Sequence, residues 1–139
     1  MSLFVVEACV AIKWVVPEEH SERAVRLLEG PHELIATDQL FPEAAELLSR
    51  KVRLGELTID ESRAVYAALS SMAVDIHPSR HLVEGALEIA AVMDRPISDG
   101  LGLALAVRQE CRMVTARRDL YDIVQGTPFA KHLKWVGSV

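Results

Sequence analysis

The chain has 139 residues, half of them hydrophobic and a quarter charged, which suits one globular domain spanning 1–139 and leaves no room for two of ordinary size. Aromatic residues make up only 5%, so the core is expected to be aliphatic, and nothing points to the stacking surface that single-strand nucleic-acid binders use. Fifteen Lys and Arg against twenty Asp and Glu give a formal net charge of -5, a sign that taken alone counts against a nucleic-acid partner.

Leu3 to Val6 is a short, wholly apolar run and predicts a strand buried on both faces. It has no basic residues before it and Glu7 cuts it short, so it does not read as a signal peptide. A helix-like stretch, Val10 to Val16, follows. Ser21 to Glu29 carries one apolar stripe of Ala24, Leu27 and Leu28 and ends at Gly30-Pro31. After a strand-like Leu34-Ile35-Ala36 comes a helix from Leu40 to Arg53, with Leu40, Ala44, Leu47 and Leu48 in the three-to-four rhythm and Gly55 as its stop. Thr58 and Glu61 have the spacing of a capping box, opening a helix expected to run to about Met72. Val74-Asp75-Ile76 is a further strand, and helices are expected from Arg80 to Met93 and from Asp99 to Cys111, with the weak Pro96-Ile97 step as a connector. Met113-Val114-Thr115, a short helix near Leu120 to Val124, and Trp135-Val136 complete the chain.

This alternation predicts an α/β domain with a mainly parallel central sheet of about five strands and helices on both faces. No repeat, linker or low-complexity stretch interrupts it, and no apolar stretch reaches the roughly 18 residues of a membrane span. Cys9 and Cys111 lack CxxC spacing, which disfavours a zinc knuckle or a disulfide framework. The five histidines show no metal-ligand spacing. A location in the reducing cytoplasm, away from membranes, is the expectation.

Ligands of open parallel sheets bind outside the strand carboxyl ends, at the topological switch point, so polar residues just after strands come first. Glu7 follows the first strand, either as a helix cap or as a carboxylate in the crevice. Glu43 sits between Leu40 and Leu47 on an apolar stripe, where a charge is costly unless it is ion-paired or metal-bound. Asp99, in Ser98-Asp99-Gly100, stands at the start of a nearly all-apolar helix that it could also cap. Asp38 before the Leu40 helix reads as a cap. Arg117, Arg118 and Asp119 follow the Thr115 strand end. Carboxylates at element starts or on a buried face make a hard-oxygen set suited to magnesium or manganese.

Val5-Val6-Glu7-Ala8-Cys9-Val10-Ala11-Ile12-Lys13-Trp14, Pro17-Glu18-Glu19-His20-Ser21, Phe41-Pro42-Glu43-Ala44-Ala45-Glu46-Leu47-Leu48, Ser98-Asp99-Gly100-Leu101-Gly102-Leu103-Ala104-Leu105-Ala106 and Val114-Thr115-Ala116 occur in that order. This ordered set, from Val5 to about Trp135, resembles the PIN-domain nucleases, specifically the VapC-type toxin ribonucleases of prokaryotic toxin–antitoxin pairs. The resemblance implies a metal-dependent endoribonuclease that hydrolyses RNA phosphodiester bonds with Mg2+ or Mn2+, forms a homodimer and is neutralised by a small antitoxin. It makes Glu7, Glu43 and Asp99 the catalytic metal ligands, with Asp119 a candidate fourth and Thr115 a hydrogen-bond partner behind them. Arg117 and Arg118 become candidate substrate-binding residues. The helices around Ile12, Trp14 and Leu47 could supply an apolar surface for the antitoxin.

Two departures from the family pattern stand out. Glu7 replaces the usual opening aspartate, which keeps the charge but reaches one methylene further. Arg117 stands where the family commonly has an acid, and a cation there could pair with the other carboxylates and take the room of a metal. The alternative reading is therefore a degenerate PIN domain that keeps antitoxin or RNA binding without turnover. A non-nuclease α/β protein is more distant, and the absence of a glycine-rich phosphate loop disfavours a nucleotide binder. Charge distribution sharpens the opening sign: from Arg108 onward there are six basic and three acidic residues, against nine and seventeen before it. Arg50, Lys51, Arg53, Arg108, Arg112, Arg117 and Arg118 could rim an acidic pocket and hold phosphates, or merely compensate helix ends.

Overall fold

At the centre of the sheet lies β1 (Ser2–Val6), flanked by β2 (His32–Thr37) and β4 (Arg112–Thr115), with β3 (Asp75–His77) and β5 (Leu133–Trp135) at the edges. The computed structural model describes residues 2–139. The strand order is β3-β2-β1-β4-β5 and every pairing is parallel. Among the described residues seven α-helices connect and cover the strands: α1 (Ala8–Ala11), α2 (Ser21–Glu29), α3 (Leu40–Arg53), α4 (Ile59–Ser70), α5 (Val83–Met93), α6 (Ile97–Arg108) and α7 (Arg118–Gln125). Among the described residues no helix is long and apolar enough to cross a membrane.

The apolar runs become two-sided strands because alternate side chains find a core on each face. Val5, Ile35, Met113 and Leu133 point to one layer, where they pack with Ile89 of α5, Leu105 of α6 and Leu120 of α7. Phe4, Val6, Leu34, Ala36 and Val114 point to the other, with Leu27 of α2, Leu40 of α3 and Leu69 of α4. Both layers are mainly aliphatic, with Phe4 the one aromatic among their buried residues. α6 is apolar nearly all round because it is buried nearly all round: Leu101, Leu103, Ala104, Leu105 and Ala106 are all buried. Its approach to α5 needs Gly100, where an added Cβ would lie 2.9 Å from the Ala86 carbonyl oxygen.

Element boundaries shift where local chemistry outweighs periodicity. The helix expected from Asp99 begins at Ile97, because Pro96 takes the N-cap position and its fixed φ suits a helix start. The Val10 to Val16 stretch resolves into the single turn of α1 and a 3-10 turn, Ile12–Trp14. A second 3-10 turn, Ser79–His81, precedes α5, which starts at Val83 rather than Arg80. The Thr58–Glu61 capping box forms in full, with Thr58 Oγ1 accepting from the Glu61 N–H at 3.1 Å and Glu61 Oε1 from the Thr58 N–H at 2.9 Å. From β1 the chain builds outward to β2 and β3, then returns to β4 on the other side of β1. That reversal opens the crevice at the carboxyl ends of β1 and β4.

Candidate active site

Glu7, Glu43, Asp99 and Arg117 line one cleft of about 400 Å³ beyond the carboxyl end of the sheet. Glu7 occupies the N-cap position of α1, yet its side chain makes no capping hydrogen bond. It is held instead by Thr115, whose Oγ1 donates to Glu7 Oε2 at 2.9 Å, and by Cys9, whose Sγ donates to the same oxygen at 3.0 Å. Oε1 has no side-chain partner among the described residues. Glu43 lies in the first turn of α3 and makes neither an ion pair nor a hydrogen bond through its carboxylate among the described residues. Asp99, in the first turn of α6, is 9% exposed and does not cap its helix.

The carboxylates feel one another. Burial, reinforced by the negative charges of Glu7 and Asp99 and opposed by Arg117, pushes the Glu43 carboxyl up to about 7. Burial also raises Glu7, although the Cys9 and Thr115 hydrogen bonds and the Arg117 charge pull the other way. The Cys9 thiol is pushed well up by burial and by Glu7, which makes it a hydrogen-bond donor rather than a thiolate. Asp99 is answered twice: Arg95 Nε donates to Oδ2 at 2.9 Å, and the Arg117 guanidinium donates to both oxygens, Oδ1 closely and Oδ2 at 3.4 Å. The hydrogen bond to Asp99 raises Arg117 further above the ordinary arginine range. Asp119 pairs with Arg95 at 3.0 Å and with Arg117 at 3.6 Å.

The family model of the PIN domain matches residues 4–125. The chain belongs to the PIN domain family. Among solved structures this PIN domain is similar to PAE2754 from Pyrobaculum aerophilum, at 19% identity and a TM-score of 0.69 over 99% of this chain and 85% of that one. It is similar to the sarcin-ricin loop cleaving toxin VapC20 of Mycobacterium tuberculosis, at 17% identity and a TM-score of 0.67 over 86% of this chain and 93% of that one. A toxin–antitoxin complex from Klebsiella pneumoniae aligns at 12% identity and a TM-score of 0.62 over 96% of each chain. At such identities the structures speak to the shared fold. A search of curated proteins finds no significant match.

PIN nucleases generally use divalent metals, and the donors of this PIN domain can be tested against such an ion. Arg95 and Arg117 match Asp99 and Asp119, leaving Glu7 and Glu43 as the uncompensated pair. Among the described residues no three His, Cys, Asp or Glu side chains gather as a metal-ligand set. Magnesium is commonly held by one or two carboxylates while it keeps several waters. Glu7 and Glu43 therefore fit one such ion. At Asp99 an ion would compete with Arg95 and Arg117, since both carboxylate oxygens already accept from guanidinium groups.

The remaining predicted residues fall in varied places. Thr115 is fully buried behind Glu7. Asp119 is 60% exposed and does not line the cleft. Arg118 lies over the rings of Tyr121 and Trp135, at 5.3 and 5.1 Å from their centroids, and pairs with Asp122. Arg50 and Lys51 line a neighbouring groove with Lys13 and Glu18. Arg112 cannot rim the pocket, since it begins β4 at the opposite end from Thr115, and Arg108 is spent on the His81 carbonyl oxygen. Asp38 is no helix cap: Gln39 holds that position, and Asp38 Oδ2 accepts from the Ser79 N–H at 3.2 Å. Ile12 is buried in the core, Trp14 is half-buried with its ring N–H donating to the Ala24 carbonyl, and Leu47 is half-buried and lines both the cleft and the neighbouring groove.

Sequence reasoning missed Cys9 and Arg95. Cys9 lies two residues beyond Glu7, and its thiol could have been recognised as a donor within reach of that carboxylate. Arg95 stands four before Asp99, but Pro96 separates it from the helix and hides the pairing.

Proposed function

We propose that this PIN domain is a metal-dependent endoribonuclease of the VapC toxin type, acting on RNA in the cytoplasm as a homodimer and held neutral by a small antitoxin. The observation that carries the reading is the pair of carboxylates, Glu7 and Glu43, left without a cation in the cleft at the sheet's switch point. Family membership and the toxin folds it resembles support it.

Glu7 and Glu43 would hold the ion, which when bound supplies charge neutralisation at the phosphodiester and activation of a water for in-line attack. Thr115 and Cys9 fix the Glu7 carboxylate by donating to Oε2, so that its other oxygen keeps a defined direction. Arg117 presents a guanidinium whose remaining N–H groups can meet a phosphate oxygen. Arg118, exposed beside it, adds positive charge near the path of the backbone.

The pairing of Arg117 with Asp99 favours the second reading, a degenerate domain that binds RNA or antitoxin without turnover. One assay separates the two. A synthetic RNA is incubated with the protein in Mg2+, in Mn2+ and in EDTA, with Glu43→Gln and Asp99→Asn beside the unaltered chain. Metal-dependent cleavage lost in Glu43→Gln supports the nuclease. An inert starting protein that gains cleavage on Glu7→Asp with Arg117→Asp establishes the degenerate domain.

A further inference from the structure

Resting on the metal-dependent reading, we propose that Arg117 is a resident cation standing in for a second metal ion, so that the cleft takes one divalent ion, at Glu7 and Glu43. Its guanidinium donates to both oxygens of Asp99, and this two-oxygen grip engages the same oxygens that a metal would draw on from that carboxylate. Arg95 closes the arrangement from the other side, bonding Asp99 Oδ2 at 2.9 Å and Asp119 Oδ2 at 3.0 Å. Two arginines against two aspartates leave this wall neutral.

The main chain is tethered as well. The Arg117 N–H donates to Thr115 Oγ1 at 3.1 Å, and the same hydroxyl donates to Glu7 at 2.9 Å. One line of hydrogen bonds therefore runs Glu7, Thr115, Arg117, Asp99 through the cleft. An ion entering at Asp99 would have to strip the guanidinium from a carboxylate that is 9% exposed and then sit beside a positive charge that arginine cannot shed. At Glu7 and Glu43 there is no guanidinium to strip away, although the Arg117 charge still reaches both carboxylates. The uncompensated charge there, two carboxylates once ionised, equals that of one divalent ion.

The test is the metal stoichiometry, read without any substrate. Mn2+ is titrated into the purified full chain by calorimetry, with free Mn2+ followed by electron paramagnetic resonance. The expected result is one ion per chain, its binding abolished in Glu43→Gln. Arg117→Asp is expected to take two ions, Arg117→Ala to admit a second more weakly, and Arg117→Lys to stay at one. Two ions in the unaltered chain overturn the inference while the metal reading stands, as does a single ion in both Arg117→Asp and Arg117→Ala. No binding by the unaltered chain overturns the metal reading of Glu7 and Glu43, and this inference with it. Should the Arg117 variants fail to fold, nitrogen resonances of the unaltered protein decide the matter. The Arg117 guanidinium signal is expected to keep its hydrogen-bonded shift at saturating Mg2+, and its release into solvent exchange overturns the proposal.

Discussion

On one wall of the cleft Glu7 and Glu43 carry charge that no cation among the described residues pairs with directly; on the other, Asp99 is held by Arg95 and Arg117, which also pair with Asp119 outside the cleft. The residue types are nearly the same, yet their status is opposite. A buried carboxylate is costly unless paired, so the second wall is built for stability and the first keeps an unmet demand for positive charge. Unmet demand of this kind, with pKa values displaced by burial and by neighbours, is characteristic of functional sites.

The contrast breaks most visibly at Glu43. Glu43→Gln is expected to cut RNA cleavage by on the order of 10²-fold or more, the scale of losing a group that acts directly on the reaction, without any loss of folded stability at neutral pH. Retained cleavage in a timed assay would falsify its role. Thr115→Val should weaken Mn2+ binding by about tenfold, because it removes the hydroxyl that orients Glu7 rather than a ligand itself; unchanged calorimetric affinity would show that Cys9 alone suffices. On the opposite wall the loss should be one of stability. Arg95→Ala is expected to lower the urea unfolding free energy by about 1–2 kcal/mol, moderated because Arg117 still answers Asp99. It should leave metal stoichiometry untouched, and a change in stoichiometry would mean that the two walls are not separate.

The smallest effect concerns pH. The Glu43 carboxyl titrates near 7 in the folded chain against an ordinary value of 4.5, so between those values the folded state holds a proton that the unfolded state has released. Stability from this group is therefore greatest below 4.5 and declines as pH rises towards 7. In EDTA, Glu43→Gln should escape that decline, so its melting temperature relative to the unaltered protein rises from pH 5 to pH 8. A gap that stays constant would mean that Glu43 is not burdened in this way.

Much of the fold is legible in the chain because its signals are local. β1, β2 and β4 are built around the short apolar stretches 3–6, 34–36 and 113–114, α2 and α3 carry clear stripes ended by Gly30 and by the turn at Gly55, and the α4 cap is written in Thr58 and Glu61. The starts of α5 and α6 are less legible, since a 3-10 turn after Pro78 precedes α5 and Pro96 takes the N-cap of α6, and hydrophobic period registers neither. Within the site, Glu7, Glu43 and Asp99 could be singled out because each sits at a strand end, on an apolar stripe or at the head of a buried helix. Arg95 gave no such signal. Its role depends on the turn at Asp94, a left-handed residue at φ 53°, and on the packing of α6 against α5 that carries Asp99 back towards it.

Residue order and local chemistry thus sufficed for a parallel α/β domain with an acidic crevice, since strand burial, helix caps and turn residues act over a few neighbours. Which acids stand free and which are neutralised was decided only by the tertiary structure. Charge pairing depends on distance in space: Asp99 meets Arg117 across 18 positions and Thr115 meets Glu7 across 108. The net charge of -5 could not disclose that one wall of the cleft had already balanced its own account.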